Sequence, residues 1–336
     1  MIKPKPLQKG DTIAIISPSG GLGGLVPHRL DNAKKFLESK GFKVKEYAST
    51  RKSDATPEEK VKDLHAAFKN DEVKAVLCAI GGLSSNELLP LIDFSIIKNN
   101  PKIFCGYSDI TVLHYAFNKK ADLVTFYGPA AMTQFGEHPE PLEFTSQHFI
   151  KALSGRVGSI KASDKWTDEI LDWFGKEDLK RPRKLYENKG YAWINKGKAT
   201  GKIIGGCLYT MHQINGTDYN LDYKDKILLL ETPEGQDFTK GEPLDYVDSQ
   251  IMNLRNSGIF DKIKGLVVGR GFGYTDEERN EFKKIIEKHT KDYDFPVLFN
   301  VDIGHSDPMI TIPLGTQVTL DSENNIFSID ESGVQN

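Results

Sequence analysis

Three short segments carry side chains whose types suit acyl-transfer chemistry. In Ile103-Phe104-Cys105-Gly106-Tyr107-Ser108-Asp109-Ile110-Thr111 an apolar run reaches a glycine and is followed by a hydroxyl beside an acid. Residues 102–105 read as a short buried strand, and Ile110, Leu113, His114 and Phe117 recur at helical spacing, so Ser108 falls at a strand-to-helix turn. A serine there can cap the helix by accepting from its first N–H groups. It can equally be a nucleophile on a tight turn, with the free N–H groups of the helix facing a developing oxyanion. The second glycine of G-x-S-x-G is missing, since Ile110 holds its place, and G-x-S recurs at Gly82-Leu83-Ser84 and Gly304-His305-Ser306. The triplet alone leaves both readings open.

A serine nucleophile needs a base, and the base needs an orienting acid. His305 lies in VDIGHSDPM, where Gly304 and Pro308 impose a turn after a predicted strand at 296–301, so its ring can project from a strand end. An inert loop histidine fits the same pattern. Glu231 ends the apolar run KILLLE, and a carboxylate buried there without a partner is costly. A histidine N–H would satisfy it and fix the imidazole tautomer; water at the strand end, Lys202 or Lys226 would satisfy it too. In AIGGLSSNELLP, Gly81 and Gly82 allow close backbone approach, which suits an oxyanion hole shared with the Asp109 N–H. Ser84 or Ser85 as a helix cap is compatible with that role.

Two other chemistries fit poorly. SPSGGLGGL, residues 17–25, has no G-K-[ST], and Val26 stands where a dinucleotide fingerprint requires glycine, so it reads as a flexible connecting loop near the cleft. The eight histidines show no H-E-x-x-H and no ligand-spaced pair, so neither a metal nor another cofactor is expected.

The elements that must position these residues form an alternating pattern. Strands are predicted at 12–17, 43–48, 73–80, 102–107 and 123–127. Helices are predicted at 27–40, after the capping signal Thr56-Pro57-Glu58-Glu59, and at 86–97. Such alternation implies an α/β fold with an open parallel sheet covered on both faces and a ligand site beyond the strands' carboxyl ends. Residues 155–198 are dense in charge, contain all three tryptophans and read as a linker with a substrate-covering loop. Beyond them, strands at 201–204, 226–231, 263–268, 296–301, 317–321 and 326–329, with helices at 244–256 and 276–289, predict a second α/β unit with a β-rich end. The expected division is 1–155, 156–198 and 199–336.

Length and charge narrow the function classes. The 336 residues suffice for two domains. A net charge of -3 with interspersed signs supplies no basic field for nucleic acid. No apolar stretch approaches the ~20 residues that span a bilayer, and the short run Ile13 to Ile16 lacks a secretory cleavage signal. The three cysteines have no C-x-x-C spacing and read as reduced core residues of a cytoplasmic protein.

The segments GDTIAIISPSG, IGGLSSNELLPLIDF, NNPKIFCGYSDIT, TFYGPAAMTQFGE, ATGKIIGGCL, ILLLETPEG and HSDPMITIPLGTQV, in this order, resemble the LD-carboxypeptidase family of serine peptidases. The likeness runs from about Gly10 to Asp330, and the turn AIGGLSSN is similar to the microcin C immunity (MccF-like) branch, where the peptidoglycan branch has Arg-Gly-Gly-Tyr-Gly. The resemblance implies a flavodoxin-like N-terminal domain, a swivelling C-terminal α/β domain and a homodimer. It also implies a Ser-His-Glu triad of Ser108, His305 and Glu231, with oxyanion donors at Gly81, Gly82 and Asp109. Enzymes of that branch cleave the amide joining a peptidyl or aminoacyl group to a nucleotide-like moiety and stack its base on a tryptophan-bearing loop. Trp166 and Trp173 are the corresponding candidates here, with Tyr191 and Trp193 as substitutes. An LD-carboxypeptidase acting on peptidoglycan tetrapeptides, and a non-catalytic nucleotide or peptide binding protein, are the competing expectations.

Overall fold

The computed structural model describes residues 1–155 and 157–335. Strands Thr12–Ile16, Lys43–Glu46, Val73–Cys78, Ile103–Gly106 and Thr125–Tyr127 pair in parallel, as the alternation predicts. A central strand covered on both faces buries every side chain, which is why Ile103–Gly106 is apolar throughout, whereas the edge strand Lys43–Glu46 carries charges. A sixth strand, Ile312–Leu314, comes from far along the chain and pairs antiparallel with Thr125–Tyr127 at the sheet edge.

Local chemistry places the helices. Pro57–Lys69 begins with a reciprocal cap, in which the Glu59 N–H donates to Thr56 Oγ1 at 3.3 Å and the Thr56 N–H to Glu59 Oε2 at 3.1 Å. The continuous helix expected at 86–97 is instead a 3₁₀ turn, Ser85–Leu88, and a separate helix, Phe94–Asn99. Pro90 has no N–H and would clash with the preceding turn, and the Asp93 carboxylate caps the second piece through the Ser95 N–H. The glycine-rich segment after the first strand is not a free loop. Leu22–Leu25 forms one helical turn, and the Gly20 N–H donates to the Gly81 carbonyl at 2.9 Å.

The second sheet has a parallel centre of Lys198–Cys207, Lys226–Glu231, Gly265–Gly269 and Val297–Val301. Gln317–Asp321 and Ile326–Ile329 extend one side antiparallel, and Ala192–Asn195 closes the other against Val297–Val301. Ala192–Asn195 is a strand inside the segment expected to be linker; each of its residues is only partly buried, so no apolar alternation betrays it. The helices Glu143–Ser154 and Leu208–Ile214 were not expected from the sequence, and neither has a side-chain cap at its start.

Two buried apolar clusters tie the sheets together. One joins Phe104 and Phe117 to Leu208, Met211 and Leu228; the other joins Phe126 to Ile203, Ile227 and Ile312. At their common seam Thr111 Oγ1 accepts from the Cys207 N–H and donates to the Ser108 carbonyl. The carboxyl ends of strands from both sheets therefore meet at one place. Among the described residues, no helix is long and apolar enough to cross a membrane.

Candidate active site

Ser108 follows the strand Ile103–Gly106 with φ +63°, a left-handed conformation uncommon for a residue with a Cβ and costing about 1–3 kcal/mol. The turn is held at both ends. The Ser108 N–H donates to Tyr127 Oη at 3.2 Å, and its carbonyl accepts from Thr111 Oγ1 at 2.7 Å. Ser108 does not act as a helix cap: neither the turn Ser108–Ile110 nor the helix Thr111–Ala121 has a side-chain cap. Its Oγ lies 3.0 Å from His305 Nε2.

Glu231 is the last residue of its strand and is fully buried. Its Oε2 is 2.7 Å from His305 Nδ1, and its Oε1 accepts the Tyr127 hydroxyl proton at 2.5 Å. Lys226 is not its partner; it opens the same strand and donates to the Lys224 carbonyl. The approach of the two loops depends on Gly304, at φ +106°, where a Cβ would stand 2.6 Å from Glu231 Oε2. With Nδ1–H directed to Glu231, the neutral ring presents Nε2 as an acceptor to the Ser108 hydroxyl. Tyr107 and Phe272 hold the ring edge-on, with centroids at 5.0 and 6.3 Å.

A closed circuit results. It runs from the Ser108 N–H to Tyr127, on to Glu231 and His305, and back to Ser108 Oγ. Glu234 adds a second carboxylate, with Oε2 3.2 Å from His305 Nε2. Burial of the ring opposes its charged form, but Glu231, Glu234 and Asp307 outweigh burial and raise the His305 pKa to about 9. Burial and the neighbouring Glu231 charge push the Tyr127 phenol well above its ordinary value, so it stays a neutral donor.

Gly81 lies directly against the serine. A Cβ built on it would stand 2.9 Å from Ser108 Oγ and 3.5 Å from the Asp109 nitrogen, so the glycine leaves room beside the hydroxyl. Gly82, at φ +150°, has no room for a side chain either, because Ser19 Oγ and the Gly20 nitrogen occupy that space. The Asp109 carboxylate turns away and accepts from Ser19 Oγ and the Ser85 N–H, while Ser85 Oγ donates to the Asp109 carbonyl. These bonds use Ser85 to tie the two loops together beside Ser108 rather than to cap a helix.

The segment after residue 156 is fastened beside this crevice. Arg183 binds Glu137 and Asp307, two residues beyond His305, at 2.7 and 2.8 Å. Arg29 binds Asp178 at 3.0 Å, and Thr167 bridges to Asp307. The aromatic candidates spread over this region. Trp173 carries the Arg29 guanidinium 4.3 Å above its ring, and Trp166 lies within 5.1 and 4.4 Å of Arg270 and Arg279. Tyr191 Oη donates to Asp302 at 3.1 Å, and Trp193 Nε1 to Asn325 at 2.9 Å. The structure thus gathers Ser108, His305, Glu231, Gly81, Gly82 and Asp109 into one site, and gives each of the four aromatics a protein partner.

Tyr127, Glu234 and Arg183 belong to this site without having been singled out by sequence. Tyr127 ends a predicted strand just as Glu231 does, and that shared position was the available signal. Glu234 and Arg183 sit in polar loops where nothing local marks them.

Comparison with known proteins places the chain among LD-carboxypeptidases. Residues 13–128 match the model of the LD-carboxypeptidase N-terminal domain and residues 200–320 that of the C-terminal domain. The microcin C7 self-immunity protein MccF of Escherichia coli is 33% identical over 97% of this chain and 95% of its own length. A Bacillus subtilis protein named as a probable murein peptide carboxypeptidase is 31% identical over 99% of this chain and 95% of its own. A solved structure of MccF with aspartyl sulfamoyl adenosine superposes with a TM-score of 0.92 at 31% identity, covering 100% of both chains.

Proposed function

Because the chain belongs to the LD-carboxypeptidase family of serine peptidases, we propose that Ser108 is its nucleophile, His305 its general base and Glu231 the acid that orients His305. It is a peptidase of the microcin-immunity or LD-carboxypeptidase type. The observation that carries the triad reading is the series of contacts at 3.0 and 2.7 Å from Ser108 Oγ through His305 to Glu231.

In this reading His305 Nε2 takes the Ser108 proton as Oγ bonds to the amide carbon. The N–H groups of the Gly81-Gly82 turn and of Asp109 stabilise the oxyanion. His305 returns the proton to the leaving nitrogen as the C–N bond breaks, and a water activated by the same ring then releases the acyl group from Ser108. No metal enters the scheme, so EDTA should leave the rate unchanged. The nucleophile comes from residues 1–155, the acid and base from 199–336, and the covering loop from 156–198.

The substrate of this proposal is an aminoacyl or peptidyl group joined by an amide to a nucleotide-like moiety, as in the ligands of MccF. Trp173, only partly buried and held on one indole face by Arg29, is the stacking platform in this reading. The reading includes a cytoplasmic setting and a homodimer, the latter tested by light scattering on the purified protein. The main experiment compares hydrolysis of an alanyl sulfamoyl adenosine with that of a muropeptide tetrapeptide. Turnover of the first, lost in Ser108→Ala, supports the proposal. Turnover of the tetrapeptide alone transfers the site to peptidoglycan, and activity retained by Ser108→Ala removes the triad.

A further inference from the structure

Glu234 and Ser108 address the same nitrogen. His305 Nε2 lies 3.0 Å from Ser108 Oγ and 3.2 Å from Glu234 Oε2, and the Glu234 side chain is 35% exposed where that of Glu231 is fully buried. Glu234 sits in the loop after the Glu231 strand, braced by a bridge to Gly241 and by the Gly235 N–H donating to the Lys240 carbonyl. The nearby cation Lys240 pairs with Asp237. Among the described residues, His305 is the one ionic partner seen for Glu234.

The other charges that face His305 do not supply a substitute. Glu231 and Asp307 are acids and supply no cation, and Asp307 is engaged by Arg183. Glu242, which also senses the ring, accepts from Gln250. Tyr107 and Tyr127 are neutral. Glu234 therefore has a counter-charge only while His305 is protonated, yet a general base must be neutral to take the serine proton. A cation arriving with the substrate would resolve that conflict.

We propose that Glu234 is the receptor for the α-ammonium group of an aminoacyl substrate, and that docking of this group releases His305 to act as base. The inference rests on the triad reading and names which acyl groups the site prefers. Attack brings the carbonyl carbon about 3 Å from Ser108 Oγ. The α-nitrogen is two bonds from that carbon, which brings it within reach of a carboxylate adjoining His305 Nε2. When the ammonium pairs with Glu234, the imidazole loses one of its two nearest anions and its neutral form gains. Acyl groups with a blocked amine would forfeit this contact and leave His305 protonated.

Calorimetric titration of the Ser108→Ala protein with alanyl sulfamoyl adenosine and its N-acetyl form tests the binding half without turnover. The free amine is expected to bind about tenfold more tightly, the scale of one partly shielded charge pair. Adding Glu234→Gln should bring the two within about twofold of each other. Equal binding of both compounds to the Ser108→Ala protein, binding of neither, or a preference that survives Glu234→Gln overturns the proposal. With Ser108 intact, the free-amine compound should show an acid limb of kcat at lower pH than that of kcat/KM, and Glu234→Gln should close the gap. A merely structural Glu234 would leave that gap in place. Failure of the triad reading is a separate result, since it appears as turnover by Ser108→Ala.

Discussion

Tyr127 Oη donates to Glu231 Oε1 at 2.5 Å while accepting from the Ser108 N–H at 3.2 Å, so one phenol holds both the Glu231 carboxylate and the Ser108 backbone. The contact joins the last residues of two strands in different sheets. It positions the carboxylate so that its other oxygen faces His305.

Tyr127→Phe keeps the ring and removes both bonds. A buried carboxylate oxygen and a buried N–H then lose their partner, at about 1–3 kcal/mol each. We expect kcat to fall about tenfold to a hundredfold with little change in KM, because a displaced orienting acid spoils geometry rather than binding. Combining it with Glu231→Gln should add little further loss; fully additive effects in a double-mutant cycle would contradict the shared circuit.

The raised His305 pKa fixes the direction of the pH profile. Its ring is a base only when neutral, and in the folded protein without ligand the neutral form prevails above about pH 9. The acid limb of kcat/KM should therefore rise toward that value, since kcat/KM reports the free enzyme. A limb centred near 6.5, the ordinary histidine value, would show that Glu231 and Glu234 do not act on His305 in this way.

Gly304→Ala tests the closeness of the His305 loop to Glu231. The new methyl would lie 2.6 Å from Glu231 Oε2 at a φ of +106°, so the loop must shift. A displacement of this order costs about a hundredfold in rate. Thermal unfolding and turnover should both suffer, and wild-type kcat in this variant would mean that the loop moves freely.

Arg183→Met leaves Glu137 and Asp307 without their shared cation in a nearly buried place. Breaking such a pair costs about 3–5 kcal/mol. Burial already raises the Glu137 pKa with the arginine present. Without the arginine, the Glu137 carboxyl, already raised by burial, moves further above its unfolded value, so the folded state holds a proton that the unfolded chain releases and stability falls as pH rises. Urea unfolding at pH 5 and pH 8 should show the larger destabilisation at pH 8. Equal losses at both would indicate that the arginine contributes packing alone.

Much of this architecture was legible in the amino-acid order. Apolar runs such as Lys226–Glu231, the capping residues Thr56 and Glu59, and the glycines at 81, 82 and 304 report short-range constraints. Burial, hydrogen-bond saturation and allowed φ act within a few residues, so a local reading can find them. Ser108, Glu231 and His305 were visible as candidates for the same reason, since each ends a strand or occupies a tight turn. Three arrangements came only with the folded chain. Tyr127 reaches Glu231 across 104 positions, Arg183 reaches Asp307 across 124, and Ile312–Leu314 completes the first sheet. The partner of the Ser108 hydroxyl likewise came only with the folded chain, since His305 lies 197 positions away. Whether a polar side chain meets a partner or water depends on packing between distant segments, and no periodicity or propensity encodes that distance.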